Sequence, residues 1–194
     1  MPPHGIIFDC DGTLADTMPL HYDAWVATLT RHGLALDEDR FYALGGWPTQ
    51  RVIELLIAEA QASGDAARIA HEKEAGFTAV IDQVLPIDVV VEVARIHRGR
   101  TPLAVATGGS RPICERILRQ IGCFDWFDAV VTCEDVATHK PDPEIFLEAA
   151  RQIAIAPQHC LVYEDTEPGL EAARRAGMQA IDVRTLHTPR RRTA

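Results

Sequence analysis

No two cysteines of this chain form a CxxC pair or a metal-ligand spacing; Cys10, Cys114, Cys123, Cys133 and Cys160 are scattered singly. That excludes a dithiol redox motif and a zinc cluster, and packing roles in a reducing compartment are expected for the thiols. Basic residues are few, 19 against 28 acidic, for a formal net charge of -9. Nucleic acid is a poor partner for such a chain, because binding to it rests on basic contacts to phosphate. An anionic small substrate would need local positive groups. The longest apolar runs are broken by Asp82, Asp88 and Glu92 before reaching membrane-spanning length, and the opening MPPHG lacks the basic and apolar regions of a signal peptide. No internal repeat is visible. These absences point to a soluble, cytoplasmic protein with no membrane partner, for which a monomer is favoured.

What is present is an ordinary globular composition, 47% hydrophobic over 194 residues. That length suits one substantial core, or one domain carrying a smaller insert. Residues from about 17 to 85 show helical periodicity, with Trp25 and Leu29 four apart and PTQRVIELLIAEAQA opening on a proline suited to a first turn. The segment DAARIAHEKEAGFTAVIDQVL carries Ile69, Phe77, Val80 and Val84 on one stripe. This block reads as a small helical insert.

Downstream the rhythm alternates: PLAVAT then PICERILRQIG, DAVVTCEDV then DPEIFLEAARQI, HCLVYED then PGLEAARRAG, and finally QAIDV. Strands alternating with helices imply a parallel α/β sheet covered on both faces. Gly122 and Gly177 stand where helix C-caps are expected. The division predicted is a core of residues 1–15 and 87–194 and a helical cap of residues 16–86. The tail TLHTPRRRTA is basic and aperiodic, which predicts a solvated end.

In an open parallel sheet, ligands bind at the carboxyl ends of the strands. Those ends carry Asp9 and Asp11, then Thr107-Gly108-Gly109, then His139-Lys140, then Glu164-Asp165. The strand GIIF followed by Asp9, Asp11 and Asp16 demands something positive, since unpaired carboxylates beside an apolar strand are costly to desolvate. Asp9 and Asp11, two apart, lean to one side in extended backbone. With Glu164 and Asp165 they make an oxygen-only cluster, a donor set that selects Mg²⁺ over zinc and leaves room for a substrate phosphate. Thr107 and the amides of TGGS can hydrogen-bond phosphate oxygens, because paired glycines let backbone come close. Lys140 adds a charge in a THKPDP setting stiffened by two prolines.

The stretches DCDGTLADT, VATGGS, HKPDPEIF and VYEDTEPGLEAARRAGM resemble, in this order, the four motifs of the haloacid dehalogenase-like superfamily. The helical insert resembles the cap of its β-phosphoglucomutase-like and sugar phosphatase branch, so the likeness spans nearly the whole chain. It implies a doubly wound Rossmann-like core and a Mg²⁺-dependent phosphatase of small phosphorylated sugars. It further implies Asp9 as the nucleophile that becomes an aspartyl phosphate and Asp11 as general acid and base. Thr107, Gly108, Gly109 and Lys140 would hold the phosphoryl group, and Asp9, Asp11 through its carbonyl, Glu164 and Asp165 would hold Mg²⁺.

Two cap positions match family positions. Lys73 interrupts its helix's apolar stripe and either snorkels to solvent or reaches the distal end of the substrate. His21 either contacts substrate or packs. Where the family often has Pro-Gly leaving the cap, this chain has LPIDVV, which resembles the fructose-1-phosphate phosphatase-like members more than the mutases. A β-phosphoglucomutase shares the same intermediate and stays the alternative. A phosphoaspartate signalling receiver is disfavoured by the long helical insert between the first two strands. A dehalogenase is disfavoured by Asp11 and the metal cluster, which displacement at carbon does not need, and a purely structural role by the presence of Asp9 with Asp11.

Overall fold

A computed structural model describes residues 3–192. The first two and last two residues lie outside it, and with them the ends of the MPPHG and TLHTPRRRTA stretches. The chain opens with β1 (Gly5–Phe8), buried along its whole length, as the middle strand of a five-stranded sheet must be. The other strands are β2 (Leu103–Ala106), β3 (Ala129–Val131), β4 (Cys160–Glu164) and β5 (Gln179–Asp182). All pair in parallel in the order β3-β2-β1-β4-β5. The sequence changes direction on either side of β1, so the carboxyl ends of β1, β2 and β4 converge on one crevice.

Side-chain alternation along β1 divides the core. Ile6 and Phe8 join a cluster with Leu103, Val105, Ile117 and Leu118. Ile7 joins the opposite cluster with Ala104, Ile145, Phe146 and Ala172. The first face is covered by α5 (Asp88–His97) and α6 (Arg111–Gln120), the second by α7 (Glu144–Gln152) and α8 (Glu167–Arg175). Helix α6 ends at Gly122 (φ 74°) and α8 at Gly177 (φ 73°). In each, the glycine N–H and the next N–H bond back to the last turn: Gly122 to Arg119 and Cys123 to Leu118, Gly177 to Arg174 and Met178 to Ala173. Both glycines are therefore Schellman caps, as their sequence positions indicated. Helix α5 is an element the sequence reading passed over, because its run DVVVEVARIH is dominated by β-branched valine.

Between β1 and α5 lie α1 (Met18–Arg31), α2 (Glu38–Ala43), α3 (Thr49–Glu59) and α4 (Ala66–Thr78). Trp25 and Leu29 of α1 pack with Phe41, Val52, Ile53, Leu56 and Ile69 in a third cluster. Pro48 takes the N-cap of α3. The long stripe predicted through Val84 is not one helix: α4 stops at Thr78 and a short 3₁₀ turn follows at Ile81–Gln83. Ile69 consequently packs within the insert, whereas Phe77 and Val84 pack into the sheet's first cluster.

The chain leaves the sheet and returns along paired segments. Asp16 N–H donates to Leu85 O and Ile87 N–H to Leu14 O, both at 2.9 Å, while Ala15 bridges Pro86. The basic tail is largely exposed, as expected of a solvated end, and its arginines are also paired. Arg190 Nε sits 2.5 Å from Asp16 Oδ2, Arg191 pairs with Asp39, and Arg192 reaches Asp23 at 2.6 Å. Tyr42 O–H donates to Arg190 O at 3.1 Å. Its charges met acidic partners that sequence distance concealed. Four cysteines are buried and Cys133 is half-buried, all five free, consistent with packing roles.

Candidate active site

Asp9 follows directly on β1, with its N–H donating to Tyr163 O of β4 at 3.0 Å. Strand pairing therefore fixes its backbone. Its carboxylate is buried and accepts from Lys140 Nζ at 2.7 Å. The same ammonium donates to Glu164 Oε2 at 2.7 Å and to Ala106 O at 3.3 Å, so one cation ties together the ends of β1, β2 and β4. Glu164 Oε1 also accepts from the N–H of Asp165, and from the N–H and O–H of Thr166. Asp165 Oδ1 accepts from Thr13 at 3.1 Å.

Asp9, Glu164 and Asp165 each offer an oxygen within 4.8 Å of the others. Burial is the largest influence on both aspartates and disfavours their charged forms. Asp9 is raised well above the ordinary carboxylate range, and Asp165, with Glu164 also repelling its charge, is raised to about 8. Lys140 is raised as well, which for an ammonium favours the charged form: burial alone would lower it, but Asp9 and Glu164 outweigh that. Three buried carboxylates against one ammonium leave the cluster short of positive charge. Its hard oxygen donors fit Mg²⁺.

Two glycines make this crowding possible. A Cβ on Gly12 (φ 82°) would stand 2.1 Å from Asp165 Oδ2, and one on Gly169 would stand 2.0 Å from Glu164 Cδ. Neither position tolerates a side chain without moving a carboxylate.

The Asp11 carboxylate stands apart from that cluster and turns toward the insert. Its Oδ1 is 3.3 Å from His21 Nε2, and His21 Nδ1 is 2.8 Å from Lys73 Nζ. Burial, the largest influence, would raise Asp11, but His21 with Thr17 and Lys73 together outweigh it and hold the carboxyl below its ordinary value. Burial chiefly, then the Lys73 charge, lowers His21; burial also lowers Lys73, opposed by Glu74. Lys73 is 3% exposed, so it does not snorkel, and its Nζ donates to Glu74 Oε1 at 3.1 Å. The His21 ring stacks on Phe77 at 3.7 Å, so it packs, and meets Asp11 at one edge.

At the end of β2, Thr107 is buried and its N–H donates to Val131 O. The Thr107 hydroxyl oxygen accepts from Gly109 N–H at 3.0 Å, closing the TGG turn. Asp9, Asp11, His21, Lys73, Thr107, Gly109, Lys140 and Glu164 border one cavity of about 390 Å³. Its far wall comes from the insert: Trp25, which the sequence marked only as part of a helical stripe, lines it with Trp47, Thr49 and Glu74, which sequence reasoning did not single out. Only the turn after α2 had a visible signal, Gly45-Gly46 followed by Trp47-Pro48. Glu74 and Thr49 look like ordinary helix-surface residues.

Comparison with known proteins agrees with this architecture. The profile of haloacid dehalogenase-like hydrolases matches residues 3–177. The fructose-1-phosphate phosphatase YqaB of Escherichia coli is 43% identical over 183 residues, 94% of this chain and 97% of that protein. A β-phosphoglucomutase of Bacillus subtilis is 29% identical over 92% of this chain and 82% of its own length. The crystal structure of a Clostridium difficile β-phosphoglucomutase superposes with a TM-score of 0.81 at 23% identity, covering 94% of this chain and 84% of that one, which speaks to the fold. A sequence so matched end to end, on a sheet that gathers its acidic residues at the strand ends, belongs to the haloacid dehalogenase-like hydrolases, in their β-phosphoglucomutase-like branch.

Proposed function

We propose that this enzyme is a phosphatase of small phosphorylated sugars, of the fructose 1-phosphate kind, working through a phosphoryl group carried on Asp9. The observation that carries the reading is that Asp9 and Asp11 open onto one cavity yet have separate partners. Asp9 lies with Lys140 among the carboxylates, and Asp11 lies with His21. Similarity to the Escherichia coli fructose-1-phosphate phosphatase over nearly both full lengths supports the substrate class.

In this reading an Asp9 oxygen attacks phosphorus and the bond from phosphorus to the sugar oxygen breaks. Asp11, in its protonated form, delivers a proton to that leaving oxygen. A water then gives its proton to Asp11 and attacks the acyl phosphate, releasing inorganic phosphate and restoring Asp9. Lys140, the Thr107 hydroxyl and the turn at Gly108 and Gly109 hold the phosphoryl oxygens. Asp9, Glu164, Asp165 and the Asp11 carbonyl would hold Mg²⁺, which when bound offsets charge on the phosphoryl group. Residues 16–86 form a cap that must open for entry, and the paired segments at 14–16 and 85–87 are its joint to a core of residues 1–15 and 87–194.

The β-phosphoglucomutase relative keeps a second reading open, in which a sugar hydroxyl replaces water. One experiment separates the two. Fructose 1-phosphate and β-glucose 1-phosphate are supplied with and without glucose 1,6-bisphosphate, while inorganic phosphate and glucose 6-phosphate are followed together. A phosphatase releases phosphate without the primer and loses turnover in EDTA. Primed conversion to glucose 6-phosphate with little phosphate release would favour the mutase, and full turnover in metal-free EDTA would remove Mg²⁺ from the scheme.

A further inference from the structure

A cavity that takes one phosphoryl group can be open or closed to a second anion at its other end. The lysines bordering this one are Lys140 and Lys73, and the histidines are His21 and His139; no arginine among the described residues does so. Lys140 lies between Asp9 and Glu164 at the reacting end. At the cap end, the Lys73 charge is matched by Glu74, 3.1 Å away, and Glu74 is itself fixed by Thr49, whose hydroxyl donates to Glu74 Oε1 at 2.7 Å. Both bonds fall on Oε1, which leaves Oε2 able to accept from a ligand. Trp25 and Trp47 supply apolar surface around the pair. The cap end thus offers a neutralised ion pair, a hydroxyl and two indoles.

We propose that Glu74 is a specificity-determining residue that confines the enzyme to substrates whose non-reacting end is neutral and polyhydroxylated, and that turns away a second phosphoryl or carboxylate group there. The proposal rests on the phosphatase reading above and narrows its substrate class. A sugar hydroxyl can donate to Glu74 Oε2, which a phosphate dianion cannot do. A dianion at that end meets the Glu74 charge in a half-buried setting where water screens it poorly, with no uncommitted ammonium to offset the repulsion. Were Glu74 only a counterion that makes the buried Lys73 tolerable, its charge would leave substrate choice untouched.

The test compares fructose 1-phosphate with fructose 1,6-bisphosphate, reading kcat/KM for release of the 1-phosphate. Each value is normalised to the same variant's turnover of p-nitrophenyl phosphate, which cancels any loss of folded protein. Wild type should prefer the monophosphate by roughly tenfold or more, and Glu74→Gln should shift that ratio toward the bisphosphate by about tenfold. Glu74→Asp, which keeps the charge, should keep the wild-type preference. Equal use of both compounds by wild type, an unmoved ratio in Glu74→Gln, or the same shift in Glu74→Asp would each overturn the assignment. Should wild type hydrolyse none of the three esters, the phosphatase reading fails separately. Calorimetric binding of the two sugar phosphates then decides the role of Glu74, and equal affinity counts against it.

Discussion

Asp9 and Asp11 are two residues apart and face different company. Extended backbone would lean them to one side, but the chain bends at Cys10 between them, and Asp9 meets Lys140 while Asp11 meets His21. That separation suits one group to attack and the other to move protons. Asp9→Asn keeps the size and removes the proposed nucleophile, so rapid acid quench after labelled substrate should trap no phosphoprotein. Hydroxylamine-sensitive label on that variant would contradict the role. Lys73 is tested differently, because its ammonium lies at the cap end of the cavity. Losing a charged hydrogen bond of about 1.5–3 kcal/mol predicts that Lys73→Ala lowers kcat/KM for a sugar phosphate roughly 10- to 100-fold. p-Nitrophenyl phosphate, with no hydroxyls for the cap to meet, should lose far less. Equal losses on both would return Lys73 to a packing role.

Among the elements, β4 and α8 show how a strand end becomes a site. Glu164 ends β4 and folds under the first turn of α8, where Gly169 leaves room for its carboxyl. Gly169→Ala would drive a methyl into that group at 2.0 Å. Overpacking on this scale should destabilise the protein by about 2–3 kcal/mol and lower Tm by roughly 5–10 °C. The Mg²⁺ concentration for half-maximal activity should rise with it, since the same shift displaces Glu164. An unchanged melting curve would show that the carboxyl relocates freely. The strand-helix alternation was legible because each strand is a short apolar run bounded by turn residues. Helix α5 was not, for its buried positions are set by packing on the sheet, not by a polar-apolar rhythm that valine-rich sequence displays.

Across the whole molecule, the tail binds the insert and its joint. Asp16 is buried to 3% side-chain exposure, and its recorded partner is Arg190, from 174 residues away. Of the three carboxylates after β1, it alone takes an arginine from the tail and lies outside both the Asp9 cluster and the His21 contact. Arg190→Ala would strand a buried charge and should cost about 2–3 kcal/mol. Arg192→Ala breaks an exposed pair with Asp23 and should stay within about 0.5 kcal/mol. Thermal unfolding of both variants at low and high salt checks the contrast. Equal small effects would show that Asp16 rehydrates when its partner is lost.

Local pattern determined much of this protein. Period-two and period-3.6 spacing placed the sheet's strands and most helices, glycine placed two helix ends, and the strand-end rule drew Asp9, Thr107, Lys140 and Asp165 toward one crevice. Each depends on residues near in sequence, whose energetics a short window contains. Tertiary structure alone decided which partners those groups met. Lys140 between Asp9 and Glu164, the line from Lys73 through His21 to Asp11, Glu74 at the cavity's cap end, and Arg190 on Asp16 all join distant segments. A charge in sequence carries no mark of its counterion, because Coulomb attraction and desolvation depend on distance and burial, and only packing the insert and tail against the sheet sets these.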